Sequence, residues 1–252
     1  MFRPKINLIK TLYINFRSLP IGIAIKMPIL IYGKIRIRSL RGKIVFNVHA
    51  KFGMIRIGTP IVGAVLNFNK TTICNDGEIV INGRVFINNG VELNVCGGKL
   101  FLGNESMIGD NVRVICSNTI LIGDGTRIAH ESQLIDTNFH FLVNVDKRIV
   151  GDRSGMIFIG DWCWIGNKTT ITKGTYLPNR IIVGSNSLLN KEYKEVQEYS
   201  IIAGIPAKFI KKGIRRVYNS DTERSLYYHF KKSEDSYLID INTNLDDFCN
   251  SK

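Results

Sequence analysis

Aliphatic residues recur every six positions through the middle of the chain. A Gly often follows the aliphatic residue, and a small or β-branched residue comes four positions after it. A period of six is neither the 3.6-residue period of an α-helix nor the alternation of a strand. It predicts short strands joined by tight bends around a prism, with successive coils stacked to bury the aliphatic side chains. The recurring residues are Ile81, Ile87, Leu93, Leu102, Ile108, Val114, Ile122, Ile128, Leu134, Ile159, Ile165, Ile171, Leu177, Val183 and Leu189.

The repeat is interrupted at regular places. The spacing exceeds six after Leu93, after Val114 and after Leu134, which are three repeats apart. If three repeats make one triangular coil, these insertions leave from the same corner of successive coils. The third insertion, residues 135–158, is longer than a structureless connection in a compact domain normally is, and such loops are often functional.

The repeat divides the chain into three segments. Residues 1–56 form a basic, partly helical N-terminal segment or cap. Residues 57–210 form an all-β solenoid, a parallel β-helix of about five triangular coils, with a strand-like stretch from Ile55 to Val65 near its start. Residues 211–252 carry a short helix, predicted from Asp221 to Lys232, and a polar tail.

The positive charge is concentrated in the N-terminal segment. The net charge is +13, and thirteen Lys and Arg but no Asp or Glu precede Asp76. Such a surface attracts nucleic acid or an anionic membrane. Because no nucleic-acid-binding motif accompanies it, we do not expect a nucleic-acid partner. Two explanations of the charge stay open. The segment is a basic cap over one end of the domain, or it makes peripheral contact with an inner membrane leaflet or an anionic lipid-linked substrate.

The apolar stretches and the cysteines indicate where in the cell the protein is found. Charged residues such as Lys10, Arg17 and Lys26 break the N-terminal apolar run well below the roughly 20 residues that a spanning helix needs. No small-residue cleavage site follows, so we expect no secretory signal. The five cysteines form no CxxC pair, which indicates reduced thiols and no zinc site. We expect a cytoplasmic protein, with the inner face of the membrane as its peripheral location.

The long loop contains the most reactive candidate side chain. His140 is one of only four histidines, and Asp136 and Asp146 lie near it in sequence. An imidazole accepts a proton readily near neutral pH, and a neighbouring carboxylate can hold its tautomer. His140 is therefore a candidate catalytic residue.

Several motifs carry a family resemblance. They are Asp136–His140, Trp164–Gly174, Ile182–Lys191 and Ile201–Lys208, which read DTNFH, WIGNKTTITKG, IVGSNSLLNK and IIAGIPAK. With the repeat, they resemble the left-handed β-helix (hexapeptide-repeat) acyltransferases. Among these, the chain is similar to sugar O-acetyltransferases related to the maltose, galactoside and colanic-acid enzymes. The resemblance covers about residues 80–210, and the left-handed sense is implied by it alone, since parallel crossovers are normally right-handed.

The resemblance implies a reaction and a set of roles. An acetyl group would pass from acetyl-coenzyme A, the co-substrate, to a sugar hydroxyl in surface polysaccharide biosynthesis. His140 would be the base and Asp136 its orienting carboxylate, with Asn111 and His130 at the acceptor. No metal is expected. The family's usual homotrimer would place the active sites between subunits. The residues implied at the coenzyme are Trp164, Asn167, Ser185, Lys191, Lys208 and Lys211.

Other readings of the same prism stay open. An N-acyltransferase acting on an amino sugar would use the same base and coenzyme site. A non-catalytic β-helix protein would keep the repeat without turnover. A γ-type carbonic anhydrase needs three converging histidines. We do not expect it, because His49 and His229 lie outside the recognised coils and His130 and His140 are poorly spaced.

Overall fold

The structure, a computed structural model, describes residues 5–59 and 69–250. Its compact units are residues 1–212 and 213–252. In the first unit, short strands joined by bends make a coil, and the chain then continues into the next coil. Its strands are β1 (Ile29–Ile31), β2 (Ile35–Leu40), β3 (Lys43–Phe46), β4 (Ile55–Thr59), β5 (Thr71–Asn75), β6 (Glu78–Ile81), β7 (Val85–Asn88), β8 (Glu92–Val95), β9 (Lys99–Leu102), β10 (Ser106–Ile108), β11 (Arg113–Cys116), β12 (Thr119–Ile122), β13 (Arg127–Ile128), β14 (Gln133–Ile135), β15 (Val143–Asn144), β16 (Ile149–Val150), β17 (Ile157–Ile159), β18 (Trp164–Ile165), β19 (Thr170–Thr172), β20 (Tyr176–Leu177), β21 (Ile182–Val183), β22 (Leu188–Leu189), β23 (Ser200–Gly204) and β24 (Ala207–Lys212).

Three sheets form the faces of the prism. The first face has the order β1-β4-β7-β10-β13-β18-β21-β23-β24, the second β2-β5-β8-β11-β14-β19-β22 and the third β3-β6-β9-β12-β17-β20. All neighbours pair in parallel except β23 and β24, which are antiparallel. We call the bend from the first face to the second the first corner. The second corner joins the second face to the third, and the third corner joins the third face to the first.

The aliphatic residues of the repeat fill the prism. On the first face, Ile87 pairs with Ile108, which pairs with Ile128, and Ile128 pairs with Ile165. All four are at most 3% exposed. Each such side chain contributes about 1.5–3 kcal/mol when fully buried. The predicted stacked β-helix is confirmed.

The stack begins earlier than the predicted boundary. The first coil, β1 to β3, lies inside the range 1–56 that the sequence assigned to the cap, and β1 pairs with β4 in register. The described residues therefore hold six three-stranded coils and a partial seventh, more than the expected five or so. The six-residue spacing is lost there because longer connections separate Phe46 from Ile57 and Ile57 from Ile73. Of the predicted stretch Ile55–Val65, the part after Thr59 lies outside the described residues.

Glycine follows the buried aliphatic because the next coil is too close for a side chain. A Cβ on Gly109 would lie 2.5 Å from the carbonyl oxygen of Ile128, and one on Gly123 would lie 2.5 Å from the carbonyl carbon of Gly160. Neither glycine has a positive φ. At these positions the close approach of backbones, rather than a left-handed conformation, requires glycine.

A ladder of short polar side chains holds the third corner. The Oδ1 atom of Asn104 accepts from the backbone N–H of Arg84, one coil earlier, at 2.9 Å. Asp124 accepts from Asn104 at 2.6 Å, Asp161 from Asp124 at 2.8 Å and Asn179 from Asp161 at 2.9 Å. Each bend thus satisfies a backbone donor of the coil beneath it, which fixes the coil spacing at this corner.

Helices occur at the N-terminal end of the first unit and in the second unit. Helix α1 (Leu8–Ser18) begins at the N-cap Asn7, and α2 (Ile21–Ala24) follows Pro20. The second unit contains α3 (Ser220–Phe230) and α4 (Leu245–Cys249). The predicted C-terminal helix corresponds to α3, whose N-cap Asn219 accepts from the N–H groups of Asp221 and Thr222.

Candidate active site

The first corner carries a column of polar side chains. Two residues after the buried aliphatic of each coil, the first corner presents Asn89, Asp110, His130, Asn167 and Ser185 in turn. The Ser185 hydroxyl donates to Oδ1 of Asn167, one coil below. Asp110 accepts from the N–H of Asn89 at 3.2 Å. Three residues implied by the resemblance, His130, Asn167 and Ser185, therefore lie in one column at this corner.

Burial affects the one carboxylate in this column. Asp110 is 5% exposed, and burial raises its pKa, opposed by the N–H of Asn89 and by the charge of His130. The exposed imidazole of His130 lies close enough to this carboxyl group to act on it through its charge. The two groups belong to adjacent coils, so their proximity depends on stacking.

Asn111 lies beside this column in a polar groove. It adopts a left-handed backbone conformation with a φ of 56° and accepts from Nδ2 of Asn69 at 2.9 Å. The groove runs onto the second face and is also lined by Glu92, Arg113 and Gln133. Its amide, carboxylate and guanidinium groups are of the kind that hydrogen-bond sugar hydroxyls.

The second corner holds the base of the long loop. The Asp136 side chain is 0% exposed, and its two oxygens accept from the backbone N–H groups of Ser117 at 2.7 Å and Asn118 at 2.8 Å. Burial raises the pKa of this carboxyl group, and the two N–H groups oppose that shift. Asp136 therefore ties the start of the loop to the preceding coil.

Backbone hydrogen bonds then close the loop into a hairpin. Thr137 bridges to Ser154, and the N–H of Asn138 donates to the carbonyl of Arg153 at 2.8 Å. Strands β15 and β16 pair antiparallel further out. Every residue from 138 to 153 is exposed, so the hairpin stands away from the prism instead of packing over a face.

His140 lies on a braced turn of this hairpin. The residue before it, Phe139, has a φ of 62°, which is uncommon for a residue with a Cβ, and its N–H donates to the Thr137 hydroxyl at 3.0 Å. His140 itself is exposed, and no hydrogen bond to its ring is present in the described residues. An uncommon backbone conformation next to a reactive side chain is frequent at functional sites.

The structure does not bring Asp136 and His140 together. Both oxygens of Asp136 are occupied by backbone donors, and no hydrogen bond joins it to the imidazole within the described ranges. What the residue types alone missed is the brace formed by Thr137, Arg153 and Ser154. The sequence signal for this brace was Thr137, two residues before Phe139, because Thr hydroxyls often accept from the backbone N–H two residues further on in a turn.

The predicted coenzyme residues divide between two places. Trp164 lies on the first face, 39% exposed, between Arg127 and Ile182 in register. Lys208 and Lys211 are exposed on β24 at the end of the same face. Lys191 instead lies at the second corner, where its ammonium stands 5.6 Å from the centre of the Tyr193 ring.

The two corners are well separated within one chain. The segment that contains β14 runs from Glu131, at the first corner, to Asp136, at the second. At about 3.3 Å per residue this is roughly 15 Å. His140 is therefore on the opposite edge of the second face from Asn111, His130, Asn167 and Ser185.

Neither a membrane span nor a metal cluster is found in the described ranges. No helix there has the length and apolar character to cross a bilayer. No three His, Cys, Asp or Glu side chains there come together as metal ligands would. His130 and His140 lie at different corners of the prism.

Two curated relatives align with much of the chain. A protein of the cps region of Klebsiella pneumoniae, described as an uncharacterised 24.8 kDa protein, is 31% identical over 199 residues, which is 79% of this chain and 86% of that protein. The putative lipopolysaccharide biosynthesis O-acetyl transferase WbbJ of Escherichia coli (strain K12) is 30% identical over 160 residues, 60% of this chain and 78% of its own length. The chain belongs to the hexapeptide-repeat acyltransferase family.

Membership of this family fixes the class of protein. The chain is an acyltransferase, and its β-helix is left-handed. Among solved structures, the polySia specific acetyltransferase NeuO has the same fold, with a TM-score of 0.52 at 18% identity over 84% of this chain and 91% of NeuO. No family model matches the sequence.

Proposed function

We propose that this acyltransferase moves an acetyl group from acetyl-coenzyme A to a hydroxyl of a free or lipid-linked sugar, during synthesis of a surface polysaccharide. The relative WbbJ is described as a lipopolysaccharide O-acetyl transferase, and the Klebsiella relative comes from a cps region. The observation that carries the proposal is His140, an exposed imidazole on a braced turn of the long hairpin.

His140 acts as the general base. The neutral imidazole takes the proton from the sugar hydroxyl as the oxygen attacks the thioester carbonyl carbon. The tetrahedral intermediate then expels the coenzyme thiolate, which takes up the proton from the imidazolium. The products are the O-acetyl sugar and free coenzyme A, with His140 neutral again. Backbone N–H groups at a coil edge would stabilise the oxyanion.

Asp136 acts as a positioning residue. Its side chain already accepts two backbone N–H groups, so it holds the base of the hairpin rather than the imidazole. The Thr137 hydroxyl then fixes the turn that carries His140. Catalytic geometry depends on such support, because small displacements of a base reduce the rate strongly.

The residues proposed for acetyl-coenzyme A match its chemistry. The exposed indole of Trp164 and the polar pair Asn167–Ser185 suit the thioester arm, which has amide groups and a flexible apolar chain. The ammonium groups of Lys208 and Lys211 suit a phosphate as point charges. Lys191 belongs to this set only if a second chain brings its corner close.

The site is completed between chains. Because His140 and the coenzyme and acceptor residues lie at different corners of one prism, we infer a homotrimer in which the second corner of one chain faces the first corner of its neighbour. Cyclic symmetry then repeats this contact and makes three equivalent sites. His130 and Asn111 would line the acceptor groove across from His140.

A thioester-consumption assay tests the proposal. Purified protein is given acetyl-coenzyme A with a panel of sugars, nucleotide sugars and lipid-linked oligosaccharides, and free thiol is measured. His140→Ala is the test variant, and His229→Ala in the second unit is the matched control. Turnover that His140→Ala leaves near wild type contradicts the proposed base, and absence of turnover across the panel contradicts the proposed class of acceptor.

The product distinguishes the N-acyltransferase alternative. An O-acetyl ester is cleaved by mild alkali, whereas an N-acetyl amide survives. If the acetyl group remains on the acceptor after mild alkali, the acceptor group is an amine and the proposal of O-transfer is wrong.

A further inference from the structure

Helix α1 carries polar as well as apolar side chains on its buried side. Thr11 and Asn15 are 1% and 0% exposed there, beside Ile14, which packs in the core at 1% exposure. The Asn15 side chain donates to the carbonyl of Ile29 and accepts from the N–H of that residue, and the Thr11 hydroxyl accepts from the N–H of Ile31. Together with the N–H of Asn7, which donates to the carbonyl of Ile31, these side chains satisfy the outer edge of β1 at the end of the first face.

The outward side of the helix is apolar. Five large apolar side chains point away from the prism, and two more continue this surface around α2. Their exposed fractions range from 48% to 81%. An apolar surface of this size usually marks an interaction site. We call it the N-terminal apolar face; its residues are Leu8, Ile9, Leu12, Tyr13, Phe16, Ile21 and Ile25.

Cationic side chains surround this face. Lys5, Arg17 and Lys26 are exposed on the same segment, and no acidic residue precedes Asp76 in the chain. Of the Lys and Arg in this basic part of the chain that the structure describes, Arg41 takes part in a salt bridge, with Asp76, and the others form none. The positive charge at this end is thus largely uncompensated.

A basic groove opens next to the helix. It is lined by Lys10, Lys34, Arg36 and Lys70, together with Asn7. The Lys10 ammonium donates to the carbonyl of Ile35 at 2.7 Å, which holds it at the groove wall. Four cationic side chains around one opening suit a phosphate group.

We propose that the N-terminal apolar face and the basic groove together bind a bilayer rich in anionic phospholipid. Apolar side chains enter the boundary between headgroups and acyl chains, as in interfacial amphipathic helices, and the groove takes headgroup phosphates. A second copy of the chain fits poorly, because a symmetric contact would set cations against cations with no acidic side chain between them. The proposal concerns where the enzyme works and does not depend on the acyl-transfer chemistry.

Vesicle flotation tests this proposal. Full-length protein is mixed, at physiological salt, with vesicles of phosphatidylglycerol and phosphatidylethanolamine, or with vesicles of phosphatidylcholine alone. We expect binding to the anionic vesicles and little binding to the neutral ones, with anionic binding weakening as salt increases. Equal binding to both compositions, or binding to neither, overturns the proposal.

Two double variants measure how much the N-terminal apolar face and the basic groove each contribute to vesicle binding. Ile9→Asp with Leu12→Asp should weaken vesicle binding by at least about tenfold, since each loses an apolar contact with the acyl boundary. Lys34→Gln with Arg36→Gln should weaken it by about 30-fold, because each cation near an anionic leaflet contributes about 1 kcal/mol. The matched controls in the second unit, Leu238→Asp and Lys231→Gln with Lys232→Gln, should bind like wild type.

Sedimentation velocity tests whether a second copy of the chain, rather than a bilayer, covers the N-terminal apolar face. The altered side chains of the apolar face are exposed, so circular dichroism should show an unchanged fold. If Ile9→Asp with Leu12→Asp dissociates the oligomer, the face is a contact between copies of the chain and the lipid proposal is wrong. An unchanged oligomer with lost vesicle binding supports it.

Discussion

The first and second corners of the prism border the same face but are built differently. At the first corner, the coils from β7 onward turn in the same few residues and present a column of polar side chains that ends in Asn167 and Ser185. At the second corner, the connections vary in length, and one becomes the exposed hairpin that carries His140. Regular corners suit a fixed binding surface, whereas the irregular corner can extend a reactive side chain away from its own prism.

The difference between the two corners indicates where an acyl-transfer site can form. The first corner holds the polar groove and the pair Asn167–Ser185, whereas His140, the proposed base, lies at the second corner. A hairpin whose residues 138–153 are all exposed is available to a neighbouring chain. The proposed reaction therefore needs the two corners to meet across a subunit boundary.

The largest effect should come from removing the base at the second corner. We expect His140→Ala to lower kcat by about 1,000-fold, within the range that general bases contribute, with a smaller change in the KM for acetyl-coenzyme A. Steady-state kinetics with the best acceptor measures this. A kcat within a few-fold of wild type would place the base elsewhere, with His130 the next residue to substitute.

The next effect concerns the support of the hairpin. Asp136→Ala leaves the N–H groups of Ser117 and Asn118 without their acceptor, and we expect it to lower the free energy of unfolding by about 3 kcal/mol. Chemical denaturation measures this loss. The exposed Asp146, on the same hairpin, is the control, and Asp146→Ala should change stability little. If Asp146→Ala lowers kcat and Asp136→Ala does not, Asp146 supports the imidazole instead.

A smaller effect is expected at the end of the first face. Lys208→Glu with Lys211→Glu should raise the KM for acetyl-coenzyme A by about tenfold, because it reverses the charge facing a phosphate. The donor lacking the 3′-phosphate, acetyl-dephospho-coenzyme A, is the control. An equal rise in KM with both donors would show that these lysines do not read that phosphate.

The smallest effect lies at the second corner of an earlier coil. Hydrogen bonds from the Arg41 guanidinium and the Ser39 hydroxyl lower the pKa of Asp76 from 3.8 to about 2. A carboxyl whose folded pKa is lowered stabilises the fold above its unfolded pKa and loses this effect as the pH falls through the folded value. Asp76→Asn should thus be slightly less stable than wild type near neutral pH, and the two should converge as the pH falls from about 4 to 2. A difference that does not depend on pH would contradict this.

Much of the fold could be predicted from the sequence, because the inward aliphatic residues repeat locally. The positions Ile81 to Leu189 all face the core, and the insertions after Leu93, Val114 and Leu134 all leave from the second corner. The first coils escaped the pattern because their connections have other lengths. The bond from Asp136 to the preceding coil could not be predicted either, since it joins residues that only stacking brings together.

The candidate site was predicted as residues but not as an arrangement. The motifs indicated His140, Trp164 and Ser185 one by one, but sequence spacing does not reveal that they lie on different edges of the prism. Similarly, α1 could be recognised as helical, whereas its polar side faces the edge of β1 only because that strand needs hydrogen-bond partners.

The shared site can be tested with mixed oligomers. Two inactive chains are coexpressed with different tags and copurified: His140→Ala, altered at the second corner, and Ser185→Trp, which fills the first corner at an exposed position. If one chain contributes His140 and its neighbour contributes Ser185, a random one-to-one mixture regains about a quarter of the wild-type activity, since each site needs the right chain on both sides. If activity stays at the level of the separate variants, the site lies within one chain and the account is contradicted.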